Sequence, residues 1–168
     1  ILMGDFMDAV SKASQHNNDF LMVGQRHNLN IDGPLEFDVN WEGKLRAKIA
    51  KMGELGPRTG EDYIVFPSGH FKTIPSMVVG HSYCDGWLLS EARKRNMDLI
   101  DATKVVMAIH QNHDYGHIQK RPDGYVDDPQ TKRNELLSGG PSNMLIIKDR
   151  THILTKCHIK PARDLWRI

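Results

Sequence analysis

Cysteine is nearly missing from this chain of 168 residues: Cys84 and Cys157 are its only two, far apart and in no Cys-x-x-Cys pair. That speaks against a disulfide framework and leaves free thiols in a cytosolic protein as the default, with a single Cys84–Cys157 bridge as the alternative. An excess of one charge is also missing. Lys and Arg number 22, Asp and Glu 21, and the formal net charge is +1. A dedicated DNA or RNA binder needs a basic stripe, so no nucleic-acid partner is expected. No apolar run approaches the ~20 residues of a membrane helix, and no signal-peptide pattern is seen. The expected location is cytoplasmic, free or peripheral to a membrane. Internal repeats and low-complexity tracts are lacking too. An initiating methionine is absent: Ile1-Leu2-Met3 runs straight into a helix start. It reads as the end of a strand that begins upstream, so the chain is expected to be a piece of a longer protein.

Periodicity predicts alternating helices and strands. Phe6, Ala9, Val10 and Ala13 repeat at helical spacing behind a capping Asp5. Trp41, Leu45, Ile49 and Met52 do the same between Asn40 and a stop at Gly53. A third helix is expected from about Asp85 to Arg95, with Leu88, Leu89 and Ala92 inward, and a short fourth one near residues 131–137. Strands are expected at Phe20–Gly24, Tyr63–Phe66, Phe71–Ile74, Leu99–Ile100, Val105–Ile109, Leu145–Ile147 and Ile153–Leu154. The alternation indicates an α/β fold. Length alone fits one domain with a real core.

The densest chemistry lies at residues 107–117, Met-Ala-Ile-His-Gln-Asn-His-Asp-Tyr-Gly-His. It follows the apolar run Val105–Ile109 and falls where that strand would leave the sheet, the place where α/β folds present chemistry. Imidazole and carboxylate at this density suit a metal, a phosphate or a sugar hydroxyl. His110 and His113 have His-x-x-His spacing. The strand context, the lack of the Glu of an HExxH motif and the lack of a nearby Cys argue against a tight structural zinc site. A second stretch, Gly80-His81-Ser82-Tyr83-Cys84-Asp85-Gly86-Trp87, puts an acid at a helix start. Asp85 there can act as a general base toward a hydroxyl. Ser82 and Asp85 equally have the spacing of a capping box, in which the carboxylate serves only the backbone. Trp87 can stack on a sugar or belong to the core. Arg58 and Asp62 border the Tyr63 strand, and Arg26 with His27 ends the Phe20 strand. Each pair reads as a ligand contact or as an ordinary polar strand end. His16, His70, His152 and His158 read as scattered surface residues.

Several segments together resemble a known group. Ile1-Leu2-Met3-Gly4-Asp5-Phe6, Phe20-Leu21-Met22-Val23-Gly24-Gln25-Arg26, Asp62-Tyr63-Ile64-Val65-Phe66-Pro67-Ser68-Gly69, Asp85-Gly86-Trp87-Leu88, Ile100-Asp101-Ala102-Thr103 and Ala108-Ile109-His110-Gln111-Asn112-His113-Asp114-Tyr115 are similar, in this order, to glycosyltransferase-like proteins of the family-2 type with a GT-A fold. The resemblance covers residues 1–147 and leaves 148–168 as a C-terminal extension. It implies a partial three-layer α/β sandwich, the acceptor-side half without its Rossmann-like nucleotide-binding half. It implies a nucleotide-sugar donor, a glycan or other hydroxyl acceptor, and Mn²⁺ or Mg²⁺ in the full-length protein. Asp85 matches the catalytic base, where the family often has two adjacent acids and this chain has Cys84-Asp85-Gly86. His110 or His113 matches a metal or diphosphate ligand, and Arg26, Arg58, Asp62, Trp87, Asn112, Asp114 and Tyr115 are the expected substrate contacts. The isolated chain is expected to bind nucleotide-sugars weakly, and Asp85 and the His110–His113–Asp114 cluster are expected to line one cleft. The competing readings are a non-catalytic glycan- or partner-binding module of the same fold, and a metal-dependent hydrolase built on the histidines.

Overall fold

The computed structural model describes residues 1–113 and 128–163. Its organising element is β1, Phe20–Leu29, which pairs on both sides along its length. Its first half is apolar and buried, so its side chains alternate between two cores. Phe20 and Met22 enter one cluster with Ile100, Ala102 and Leu154. Leu21 and Val23 enter the other with Leu99 and Ile147.

Helix α1, Gly4–His16, buries Ala9 and Ala13 in the first cluster, with Phe6 and Val10 packed beside them. Helix α3, Cys84–Lys94, buries Leu89 and Ala92 in the second. The sheet therefore carries a helix on each face, as an α/β alternation requires. Helix α2, Trp41–Met52, has the predicted bounds; its Leu45 and Ile49 cover Leu29, Ile109 and Met3. Helix α4, Pro129–Ser138, is capped by the Asp128 side chain, which accepts from the Thr131 N–H at 2.9 Å.

The sheet is mixed. β4, Asp98–Asp101, runs parallel to the first half of β1, and β5, Ala108–Gln111, runs parallel to the second half on the same side. On the other side β2, Glu54–Leu55, and β3, Glu61–Val65, are antiparallel to it. β6, His152–Leu154, pairs parallel with β4, and β7, Ile159–Pro161, antiparallel with β6. The stretch read as a C-terminal extension thus supplies two strands of the same sheet.

β1 continues past Gly24 through the expected polar stretch Gln25–His27 and on to Leu29, because β2 and β5 supply backbone partners there whatever the side chains. Three sequence expectations are corrected. The Val105–Ile109 run is a strand only from Ala108. Before it the Asp101 carboxylate accepts from the Thr103 N–H at 3.0 Å and folds the chain into a turn. Thr103 then fills the gap in the ladder, its hydroxyl accepting from the Gln25 N–H at 2.9 Å. Residues 71–74 form no strand; Phe71 packs edge-on against Phe66, centroids 4.6 Å apart, under the Arg95 guanidinium. Residues 145–147 form no strand either. The Leu145 N–H donates to the Gly86 carbonyl, and Ile147 opens a 3-10 turn. This close approach needs glycine at 86: a Cβ there would sit 2.4 Å from Met144 Cε and 2.9 Å from the Leu145 carbonyl oxygen.

Candidate active site

The polar half of β1, the start of β3, the start of α3 and the end of β5 meet around a pocket of about 710 Å³. Arg26, Glu61, Asp62, His81, Asp85, His110 and His113 all reach its wall. Asp85 and the two histidines therefore share one cleft, brought together by the strand order and by the start of α3. β1 carries Arg26, and β3 and β5 flank it on opposite sides with Asp62 and His110.

Asp62 is the hub. One carboxylate oxygen accepts from Arg26 Nη1 at 2.6 Å, and the other lies 2.7 Å from His110 Nδ1. The three side chains are only 17–23% exposed, so the charges meet in a reduced dielectric and fix one another's orientation. Arg26 Nε also donates to Asn28 Oδ1 at 3.1 Å. The His113 ring tilts over His110 with centroids 5.3 Å apart.

Asp85 stands in the first turn of α3, and the capping-box reading does not hold. The helix begins at Cys84 behind Tyr83, whose φ of 78° is left-handed, and no side chain caps it. The Ser82 carbonyl accepts instead from Asn134 Nδ2 of α4. The same Asn134 also grips both backbone groups of Val78. This buried amide pins the 78–82 loop that forms the rim. Asp85 is left to face the pocket. Burial raises its pKa above the ordinary carboxylate value, and the Asp62 charge adds to the rise.

Glu61 is the residue that sequence reading passed over. Burial, and then repulsion from Asp85, push its pKa up to about 7, and its Oε1 is buried without a hydrogen-bond partner. The Asp85 charge opposes ionisation of Glu61, so the two acids titrate as a coupled pair. Carboxyl groups held in different environments can take different roles in one site. Its signal in the sequence was the acidic pair Glu61-Asp62 at a strand start. His81 was also missed as a wall residue; its Nδ1 lies 3.2 Å from Asp128 Oδ1.

Other expected contacts lie elsewhere. Trp87 is buried at 6% exposure and does not reach the pocket, so its indole serves the core. Arg58 is exposed on the turn before β3 and outside the wall. Asn112 donates to Asn30 Oδ1 at 2.9 Å beside a separate hollow of about 360 Å³. Asp114 and Tyr115 lie outside the described residues. The His110–His113 pair gains no third ligand: among the described residues, no three His, Cys, Asp or Glu side chains of this pocket converge on one point.

Chemically the pocket offers a raised-pKa carboxylate, a second carboxyl that is part protonated near neutrality, and an Arg–Asp–His relay. It can take a proton from a hydroxyl and hold a polar, hydroxyl-rich or anionic ligand beside the relay. Comparison with family models, characterised proteins and solved structures gives no match to this chain.

Proposed function

We propose that this chain forms the acceptor side of a glycosyltransferase of GT-A type, with Asp85 as the general base. The observation that carries the reading is Asp85 itself: an uncapped helix-start carboxylate with a raised pKa, on the wall of a pocket shared with Arg26, Asp62 and His110. A carboxylate in that position is what the sequence resemblance implies, and an α/β sheet with a helix on each face is the architecture it implies. The acceptor would be a glycan or another hydroxyl compound, and the donor a nucleotide-sugar.

In the reaction an acceptor hydroxyl lies against Asp85. Its proton passes to the carboxylate as its oxygen bonds to the anomeric carbon of the donor sugar. The bond from that carbon to the diphosphate breaks, and the nucleoside diphosphate leaves with the electron pair. Proton transfer of this kind contributes about 10²–10⁴-fold. The raised pKa makes Asp85 a stronger base than an exposed Asp. The Asp62 bridge keeps Arg26 and His110 aimed at the cleft, where they bind sugar hydroxyls. Neutral Glu61 can donate a hydrogen bond that ionised Asp85 cannot.

The test is to incubate the full-length protein with a panel of nucleotide-sugars and saccharide or lipid-alcohol acceptors, and to follow nucleoside diphosphate release. Acceptor-dependent release supports the reading. Saccharide binding without release under any pairing points instead to a non-catalytic glycan-binding module.

A further inference from the structure

A second cluster lies at the other end of the sheet. His16 is the last residue of α1, Asp98 opens β4 and His152 opens β6. Parallel pairing stacks the starts of these strands: Asp98 lies beside Phe20 at the beginning of β1, and β6 lies beside β4. Arg26 lies six residue steps along β1 from Phe20, about 20 Å at the rise of an extended strand. The cluster is thus remote from the pocket and owes nothing to its chemistry.

We propose that His16, Asp98 and His152 bind a divalent transition metal of the zinc class. One ligand atom from each residue lies within 4.8 Å of the other two. His152 Nδ1 is 3.3 Å from Asp98 Oδ1, and His16 Nε2 is 3.7 Å from Asp98 Oδ2. Metal bonds of about 2.0–2.1 Å at tetrahedral angles put neighbouring ligand atoms about 3.3–3.5 Å apart. The first distance fits as it stands. His16 approaches the other oxygen, Oδ2, so its ring, on a side chain 34% exposed at a helix end, must move toward Oδ1 to share one metal with His152, from a starting separation of no more than 4.8 Å.

The donor set selects the metal. Two imidazoles and one carboxylate suit Zn²⁺, Ni²⁺, Co²⁺ or Cu²⁺, whereas Mg²⁺ and Ca²⁺ take oxygen. Three protein ligands leave a fourth position on the exposed side for water. Supporting groups are in place. Asn17 Nδ2 donates to Asp98 Oδ2 at 2.8 Å and orients the carboxylate. The Thr151 hydroxyl lies 2.8 Å from His152 Nδ1 and has a second acceptor in the Leu99 carbonyl at 3.3 Å. It can turn to that carbonyl and release the nitrogen lone pair. Such outer contacts tune metal affinity. Bound metal would tie the end of α1 to two strands of the sheet.

Co²⁺ and Zn²⁺ are the probes, titrated into the metal-free full chain. Co²⁺ is expected to produce visible d–d absorption that Zn²⁺ bleaches by displacement, and Zn²⁺ to raise the thermal midpoint. His16→Gln and His152→Gln should each weaken Zn²⁺ binding by at least about 100-fold, and Asn17→Ala by about 10–100-fold. His16→Gln changes an exposed helix end, so its fold can be verified by circular dichroism. His110→Ala, in the pocket, should leave binding unchanged. Absence of the absorption, equal Zn²⁺ affinity in His16→Gln and the parent chain, or loss of binding in His110→Ala would each overturn the proposal. None of these outcomes bears on Asp85.

Discussion

Replacing Glu61 by Gln isolates the most perturbed carboxyl of the pocket. In the folded chain Glu61 titrates at about 7 against an ordinary value of 4.5. Between those two pH values the native state holds a proton that the unfolded state has released. Stability must then fall as pH rises, by up to ~1.4 kcal/mol per pH unit. The loss begins near the unfolded value, is complete once pH passes about 7, and sums to about 3 kcal/mol. Gln at 61 keeps the shape and one donor without titrating. The Glu61→Gln variant should therefore match the parent chain near pH 4.5 and exceed it by about 3 kcal/mol at pH 8. Urea unfolding at fixed pH steps across this range measures the difference. A difference that stays flat with pH, or a variant less stable at pH 8, would refute the claim that Glu61 is a buried acid charged against Asp85.

Other outcomes follow from the same geometry. Asp62→Asn removes the carboxylate shared by Arg26 and His110 and should cost about 1–3 kcal/mol in urea unfolding, because the partly buried Arg26 guanidinium loses its counter-charge and the His110 ring its partner. Gly86→Ala sets a Cβ against the Leu145 carbonyl at 2.9 Å and should cost about 1–3 kcal/mol by the same measurement, whereas Gly33→Ala, with nothing near, should show only the strain of its positive φ. If Asp85 is the base, activity should fail as pH drops through a value above the ordinary carboxylate range, since protonation removes the base. Asp62→Asn should move that acid limb downward in a pH–rate profile, since Asp62 helps to raise the Asp85 pKa.

Much of the fold could be read in the residues, and the reasons are local. α2 appears with its predicted bounds because Leu45 and Ile49 of its stripe are buried and the Gly53 N–H closes it on the Ile49 carbonyl, although Asn40 caps it with no side-chain bond and Met52 is exposed. α1 and α3 appear within a few residues of their predicted ends. The failures came where partners decide. Asn28 and Leu29 lie beyond the expected polar end of the Phe20 strand at His27, yet β2 and β5 hold them in the sheet. Residues 145–147 looked like a strand, yet their apolar side chains are satisfied against α3 through the gap at Gly86.

The site divides the same way. Asp85 and His110 could be picked out by residue type and position at element ends. Glu61 could not, because its perturbation comes from burial and from Asp85, neither visible in the sequence. Trp87 follows Asp85 by two residues, about 200° around the helix, and this turns it into the interior. His16 and His152 looked like unrelated surface residues. Only the parallel register of β1, β4 and β6 brings them to one carboxylate.

The central claim is that Asp85 is a base and not a structural cap, and the Asp85→Asn variant of the full-length protein tests it most directly. Turnover of the nucleotide-sugar and acceptor pair and the urea midpoint should be measured on the same sample. Turnover should fall by about 10²–10⁴-fold. The midpoint at pH 8 should hold or rise, since the variant removes a carboxylate that burial disfavours. Near-parental turnover with a stability loss of about 1 kcal/mol, the signature of a lost cap, would contradict the account.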